Sequence, residues 1–357
     1  MKIYKFAVFI SVFFFFNSFY AHGQSVTGIN LDKTTLIIFV GQTENLNATI
    51  APANATNKAV TWSTNNGLKL SVDTKGMLTA RAAGEAVITV TSQDGGKTAQ
   101  CSVKIYPANF VRINGGTFTM GSPESEPERE DDETQRSVTI SSFYMCKYHV
   151  TQAEYQTIMG NNPSVYEGPN LPVNNITWFE AIDYCNKLSK KDGLEPVYTV
   201  TGIGEDRLVS WNRDANGYRL PTEAEWEFAC RAGTKTPFST GNNINTRQAN
   251  YNGKYPYNNN AIGTYLDGML SVGSFTANPW GLYDMHGNAN EWCWDWYDVY
   301  PIGAQTDPQG VSYKTEQGRV VRGGSFSNSG SELRSANRSS YKPNETIPQI
   351  GFRVVRN

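Results

Sequence analysis

The sequence has few histidines and cysteines and no excess of positive charge. Its 357 residues include three His and five Cys, with 31 basic and 33 acidic residues. The first 23 residues contain His22 and two Lys but no acid, so only His149 and His286 remain beyond them. This argues against a zinc site built on histidines and against a basic nucleic-acid-binding surface. Serine or cysteine chemistry with a His partner is left with very few positions.

Long apolar runs are also missing, because no segment reaches the roughly 18 apolar residues of a membrane span. Near the N-terminus, Lys2 and Lys5 precede an apolar run over residues 6–16. Small residues at Ala21 and Gly23 then precede Gln24, which is the pattern of a secretory signal peptide. No Cys follows the run to carry a lipid. We therefore expect residues 1–23 to be removed and the mature protein to be periplasmic, on the cell surface or secreted.

Residues 25–107 consist of short alternating segments separated by turn residues, which predicts a small all-β domain. Strands are expected at 35–40, 43–50, 59–63, 78–81, 86–92 and 98–105. About seven short strands in roughly 80 residues is typical of an immunoglobulin-like sandwich.

This stretch resembles the bacterial Ig-like group 2 domain. The resemblance rests on Val60-Thr61-Trp62-Ser63, Lys75-Gly76-Met77-Leu78 and similar segments from Val26 to Gly84. It implies a spacer or adhesive module on an exported protein. Trp62 is expected in the core of its strand, and Cys101 is expected to be a free, packed thiol.

Residues 108–357 hold seven of the eight Trp and are rich in Gly, Asn and Pro, which predicts a loop-rich domain with few helices. Three capping boxes mark helix starts, at Thr151-x-x-Glu154, Thr177-x-x-Glu180 and Thr222-x-x-Glu225. Cys185 and Cys230 follow on apolar helix faces and are expected to be buried. Disulfide pairing among the five cysteines stays open at this point; they are Cys101, Cys146, Cys185, Cys230 and Cys293.

Seven motifs in this domain resemble the formylglycine-generating enzyme (sulfatase-modifying factor) family. They occur in family order and cover essentially all of residues 108–357; they begin at Gly115, Val150, Pro172, Tyr218, Gly281, Arg319 and Gly351. The resemblance implies a compact α+β fold of low regularity, related to C-type lectins. The whole chain is therefore predicted to be an all-β Ig-like sandwich followed by this α+β domain.

The family's oxidases carry two cysteines after the Gly-Gly-Ser-Phe motif, which bind copper and the substrate thiol. The corresponding positions here are Asn328 and Leu333, and residues 327–338 contain no Cys. Neither side chain can act as a thiolate or select Cu(I). We therefore expect no copper and no formylglycine production by this route, and we assign no catalytic residue. Another branch of the same fold supports iron-dependent chemistry and uses several histidines as iron ligands. This function is excluded too, because only His149 and His286 remain.

The resemblance also implies a calcium site in the loop 284–291, with ligands at Asp284, Gly287, Ala289 and Glu291. Carboxylates and carbonyls of a tight loop suit calcium. The alternative is that the two acids cap or pair with nearby Arg side chains. A second family site would use Asn250 and the Tyr251 carbonyl, but its downstream position falls near Thr264, which is not an acid.

Two further polar segments remain open to interpretation. The segment 325–350 offers Ser325, Asn328, Arg334 and Arg338 as candidate ligand-binding residues, or is a solvated loop whose arginines tie it to an acidic surface. The seven acids of residues 124–133 predict a solvated loop rather than a metal site.

Three functions remain. The first is an exported binding or structural protein with an unidentified protein or glycan ligand. The second is an enzyme of unknown chemistry. The third is an oxidase with displaced cysteines, for example Cys293.

Overall fold

The computed structural model describes residues 23–204 and 207–357. The predicted signal peptide therefore lies outside the described residues except for Gly23. Within these ranges no helix is long and apolar enough to cross a membrane. The chain divides into two compact units. The first takes most of residues 23–103, and the second takes Lys104–Asn357 together with the short stretches Ile37–Gln42 and Ala80–Glu85.

Residues 23–106 form short antiparallel strands, as their period-two pattern predicts. In β8, for example, Ala86, Ile88 and Val90 face the core while the residues between them do not. The main sheet has the order β2-β9-β8-β5, a second has the order β3-β7-β6, and β1 pairs with β4. The strands are β1 (Gly28–Leu31), β2 (Thr35–Phe39), β3 (Thr43–Asn45), β4 (Ala48–Ala51), β5 (Val60–Thr64), β6 (Leu70–Val72), β7 (Met77–Ala80), β8 (Gly84–Ser92) and β9 (Thr98–Tyr106).

Three details of this region differ from the sequence prediction. The strand expected at 43–50 is two strands, because the chain bends where the Leu46 amide donates to the Gly76 carbonyl. The strands β1 and β6 were not predicted. Trp62 is half-buried rather than fully buried. Its ring packs against Gly76, where an added Cβ would lie 2.9 Å from the indole and φ is +86°. Cys101 is a buried free thiol, as expected.

The second unit is mostly strand and loop with three α-helices in the described residues. Three sheets have the orders β10-β13-β21, β11-β12-β17 and β19-β18-β16-β20, and β14 pairs with β15. The helices are α1 (Gln152–Met159), α2 (Trp178–Lys191) and α3 (Glu223–Arg231). The strands are β10 (Phe110–Ile113), β11 (Gly116–Met120), β12 (Arg136–Ile140), β13 (Phe143–Cys146), β14 (Tyr198–Thr201), β15 (Leu208–Trp211), β16 (Asn290–Trp296), β17 (Gln305–Thr306), β18 (Arg319–Arg322), β19 (Ser339–Tyr341), β20 (Ile350–Gly351) and β21 (Val355–Arg356).

All three predicted capping boxes form. In each, the Thr side chain accepts a hydrogen bond from the amide of the third helical residue, and the Glu side chain of that residue reaches back to the Thr amide. Four N-terminal amides of a helix lack intrahelical partners, so these bonds fix where each helix begins.

Two apolar cores flank strand β16. Trp292 belongs to the core that contains Trp178 and Cys185 of α2, whereas the next residue, Cys293, belongs to the core that contains Trp226 of α3. Alternate side chains of a strand point to opposite faces, so one strand connects the two cores. Further along, Trp294 and Trp296 are half-buried. The strand begins at Asn290, directly after the loop that holds the candidate site.

Candidate functional site

The loop 284–291 turns sharply before it enters β16. Asp284 and Asn288 have positive φ values of 54° and 69°. At Gly287 φ is +89°, and a Cβ there would lie 2.4 Å from the Asn250 carbonyl oxygen, so only glycine fits. The Asn288 amide donates to that same carbonyl at 2.8 Å. The loop geometry thus depends on a neighbouring segment of the chain.

Glu291 is completely buried and is paired with an arginine. Arg353 donates from Nε to Oε2 at 2.6 Å and from Nη2 to Oε1 at 2.7 Å. The Trp226 indole N–H donates to Oε2 at 3.0 Å. His149 Nε2 lies 3.2 Å from Oε1. Of the two readings of the sequence, the pairing with an arginine is the one the structure contains.

Asp284 is buried and has only one partnered oxygen. Its Oδ2 accepts a hydrogen bond from the Gly273 amide at 2.7 Å. Its Oδ1 is buried without a hydrogen-bond partner. Burial raises the pKa of this carboxyl above its usual value. Asp284 is therefore the one expected calcium ligand that keeps a free oxygen in its carboxyl group.

The carbonyls expected to bind calcium already accept hydrogen bonds. The Gly287 carbonyl accepts from the Ala289 amide at 3.0 Å. The Ala289 carbonyl oxygen lies 3.0 Å from His149 Nε2. Among the described residues, no group of three or more His, Cys, Asp or Glu is placed to hold a metal ion. As folded, this donor set does not fit a calcium ion, and calcium binding stays a prediction.

At the second expected site, the Asn250 side-chain nitrogen and the Tyr251 hydroxyl make hydrogen bonds within the protein, whereas calcium would bind the Asn250 side-chain oxygen and the Tyr251 carbonyl. The Asn250 side chain donates to the Gly268 carbonyl at 2.9 Å and to Asn288 Oδ1 at 3.1 Å. Tyr251 is buried, and its hydroxyl donates to the Ile244 carbonyl. Here too calcium stays a prediction.

The positions of the two family cysteines hold side chains with structural contacts. Asn328 Oδ1 accepts from the Ser325 amide at 2.9 Å and from the Ser325 hydroxyl at 2.7 Å, and Nδ2 donates to Glu332. Leu333 is fully buried in an apolar cluster with Phe238, Ile244, Ala249, Tyr251 and Tyr257. A locked amide and a buried alkyl chain offer no thiol chemistry at this place.

No displaced thiol replaces them. All five cysteines are buried and free. Burial raises the pKa of Cys146 and of Cys230 to about 12, and it also raises the pKa of Cys293. Each thiol is therefore protonated at neutral pH and shielded from a substrate.

The two candidate ligand-binding arginines are buried in ion pairs instead of exposed to solvent. Arg334 donates to Glu133 at 2.7 Å through both Nη atoms and to Glu126 at 2.9 Å. Arg338 donates to Glu223 at 2.6 and 3.0 Å. Arg334 thereby ties this segment to the acidic segment 124–133, and Arg338 does so by donating to the Asp132 carbonyl at 3.2 Å, in line with the alternative interpretation. The prediction that residues 124–133 form a solvated loop is wrong for Glu126 and Glu133, which are buried and paired with Arg334.

Two important residues escaped the sequence analysis. His149 stands alone before a helix, and nothing local indicates a contact with a loop 140 residues away. Arg353 lies in a recognised motif, but its partner Glu291 is 62 residues away. The available signal was the alternative interpretation, in which Glu291 pairs with an arginine, because a buried carboxylate requires a charged or hydrogen-bonding partner.

Comparison with known proteins agrees with the architecture. Residues 99–357 match the sulfatase-modifying factor enzyme 1-like domain, and residues 25–103 match the bacterial Ig-like domain (group 2). The chaperone protein LppX of Paenibacillus barcinonensis is 34% identical over 268 residues, which cover 70% of this chain and 89% of that protein. The formylglycine-generating enzyme of Bos taurus is 30% identical over 286 residues, covering 70% and 75%.

A solved structure shows the same fold. Treponema denticola variable protein 1 has a TM-score of 0.59 and 27% identity, covering 74% of this chain and 98% of that one. The fold and site thus define a chain with an Ig-like region followed by a mostly strand, loop-rich domain. The chain belongs to the sulfatase-modifying factor enzyme 1-like family, as its motifs indicated.

Proposed function

We propose that residues 108–357 form a non-catalytic binding module of an exported protein, carried on the Ig-like region. The observation that carries the proposal is the pair of positions 328 and 333. The first holds an amide locked by Ser325 and Glu332, and the second holds a fully buried Leu. The signal-peptide pattern supports export, and the expected kinship with C-type lectins agrees with a recognition role.

The candidate binding surface, which we call the 328 face, surrounds Asn328. It comprises residues 327–332 and Tyr255, whose side chain is 64% exposed. Two further exposed apolar residues, Val165 and Leu266, are 57% and 54% exposed. The Gly330 amide donates to the Tyr255 carbonyl at 2.9 Å. Tyr166 and Tyr265, the sequence neighbours of the other two, pack on the cluster containing Phe326.

Apolar side chains exposed around a polar segment suit an extended polypeptide better than a sugar. The relative from Paenibacillus barcinonensis is named a chaperone protein, which also favours a polypeptide ligand. We therefore propose a protein ligand, with a glycan as the outcome that would contradict this part.

The first test addresses catalysis. The purified mature chain is incubated with Cu(I), O₂ and a Cys-x-Pro-x-Arg peptide, and the peptide mass is followed. We expect the thiol peptide to stay unmodified. Conversion to formylglycine would overturn the non-catalytic reading and favour an oxidase with displaced cysteines.

The second test addresses binding. Immobilised peptide and glycan arrays are probed with the mature chain and with Tyr255→Ala. We expect the wild-type chain to bind peptides, and Tyr255→Ala to bind the same peptides at least several-fold more weakly. Ile302→Ala serves as the matched control, because Ile302 is an exposed apolar residue in another loop. Peptide binding that both variants reduce equally, or binding to glycans alone, would contradict the 328 face.

A further inference from the structure

His149 makes contact with two of the four groups that the family resemblance assigns to calcium. Its Nε2 atom lies 3.0 Å from the Ala289 carbonyl oxygen and 3.2 Å from Glu291 Oε1. The side chain is fully buried. A carbonyl oxygen can only accept, so Nε2 carries the hydrogen in this arrangement. The N–H group of His149 thus lies against two oxygens, of Ala289 and Glu291, that the family resemblance assigns to a calcium ion.

The charge of Glu291 is already compensated. Arg353 makes two hydrogen bonds to its carboxylate, one to each oxygen, and Trp226 donates a third. A divalent ion at this place would lie beside a fixed guanidinium in a buried environment, where like charges repel strongly. It would also have to displace the imidazole.

The remaining donors are too few for calcium. Calcium takes about 6 to 8 oxygen ligands at about 2.3 to 2.6 Å. In this loop the Gly287 carbonyl accepts from the Ala289 amide, and only Asp284 Oδ1 is a buried carboxyl oxygen without a partner. Even with the second lone pair of each carbonyl counted, the four expected groups offer fewer oxygens than calcium takes.

We propose that His149 occupies the position of the cation, so that the loop 284–291 is held by His149 and Arg353 and folds without a divalent metal. His149 is a positioning residue in this proposal. The proposal is independent of what the 328 face binds.

The first test is thermal unfolding of the full mature chain in excess EDTA and in excess calcium. We expect the same midpoint in both. A calcium site filled a hundredfold above its dissociation constant would raise the midpoint by about 5 to 10 °C. A rise of that size would overturn the proposal.

The second test uses terbium, which replaces calcium and luminesces when a nearby Trp transfers energy to it. Trp226 touches Glu291 and would be the donor. We expect either no sensitised luminescence or a signal that Asp284→Asn leaves unchanged, which comes from the acidic surface elsewhere. A signal that Asp284→Asn abolishes would place a cation in the loop and overturn the proposal.

The third test asks whether His149 holds the loop. His149→Leu keeps a similar volume without a donor, whereas His149→Gln keeps an N–H group. We expect the Leu variant to unfold at a lower temperature, with Gln close to wild type. A Leu variant as stable as wild type would overturn the role of His149. If the Leu variant does not fold, the unfolding temperature of the Gln variant is the test. A Gln variant that also fails to fold contradicts the proposal.

Discussion

Glu291 illustrates which partners a buried carboxylate requires. Moving a charged group from water into the protein interior costs on the order of several kcal/mol. Only close pairing with an opposite charge and complete hydrogen bonding offset this cost. Here Arg353 supplies the charge, and Trp226 supplies an additional donor. Arg353 also donates to the Tyr283 carbonyl at 2.9 Å and to the Lys147 carbonyl at 3.1 Å. One guanidinium therefore fixes the loop at both ends and joins it to the segment after β13.

Replacing this arginine should be costly. We expect Arg353→Met to lower the free energy of unfolding by about 3 to 5 kcal/mol, because it leaves the Glu291 charge buried and unpaired. Urea unfolding at neutral pH measures the change.

The matched control is Arg207→Met. Arg207 pairs with Asp183 at 3.0 Å, but both side chains are partly exposed. A pair of this kind contributes at most about 1 kcal/mol. Equal losses in the two variants would contradict the expectation that burial of the unpaired Glu291 charge makes the loss of Arg353 the larger one.

Asp295 makes the stability of the protein depend on pH. Burial, with a smaller contribution from nearby Glu223, raises its pKa from 3.8 to about 7. Between these values the folded protein holds a proton that the unfolded chain has lost, so stability falls as the pH rises through this window. For wild type, the free energy of unfolding is therefore expected to be about 4 kcal/mol lower above the folded pKa of Asp295 than below its unfolded pKa.

Asp295→Asn should remove this penalty. The free energy of unfolding of the variant minus that of wild type is expected to increase as the pH rises from about 4 to about 7. Chemical denaturation at several pH values measures it. Asp298→Asn should show no such rise, because Asp298 is partly exposed and the Tyr313 hydroxyl lowers its pKa instead. A flat difference for Asp295→Asn would refute the assignment.

At the level of elements, the helices were predictable because their signals are local. A Thr and a Glu three residues apart lie in one turn, so the capping box is read directly from the sequence. The acidic segment was misjudged for the opposite reason. Glu133 is buried by Arg334, which is 201 residues away, and no local pattern encodes that contact.

The cap of α2 offers a direct test. We expect Thr177→Ala to lower the free energy of unfolding by about 0.5 to 2 kcal/mol, because the Glu180 amide loses its side-chain acceptor. Thr177→Ser keeps the hydroxyl and should stay within a few tenths of a kcal/mol, roughly, of wild type. Denaturant midpoints compare the two. Equal losses would assign the effect to the Thr methyl group.

At the level of the whole molecule, the family and the loop-rich fold with few helices were predicted because seven motifs occur in the order typical of the family. The burial of Cys101, Cys185 and Cys230 was predicted too, but disulfide pairing among the five cysteines was not, since pairing depends on positions in space. All five are now seen to be buried and unpaired.

The cysteines give the prediction at this scale. Native protein should be nearly inert to a thiol reagent, whereas protein unfolded in guanidinium without reductant should react at all five. Dithiothreitol should leave the unfolding midpoint unchanged. A count below five in the unfolded chain would reveal a disulfide and contradict the structure.

The pairing of β21 with β13 has a consequence for the order of events during synthesis. Tyr144 lies opposite Arg356 and Met145 opposite Val355, so a sheet begun early in the domain is completed only by residues made some 200 positions later. Contacts of such long separation form slowly. This domain cannot close until translation has passed Val355. Because β21 pairs with β13 only at the end of synthesis, the domain would stay unfolded until nearly all of it has been made.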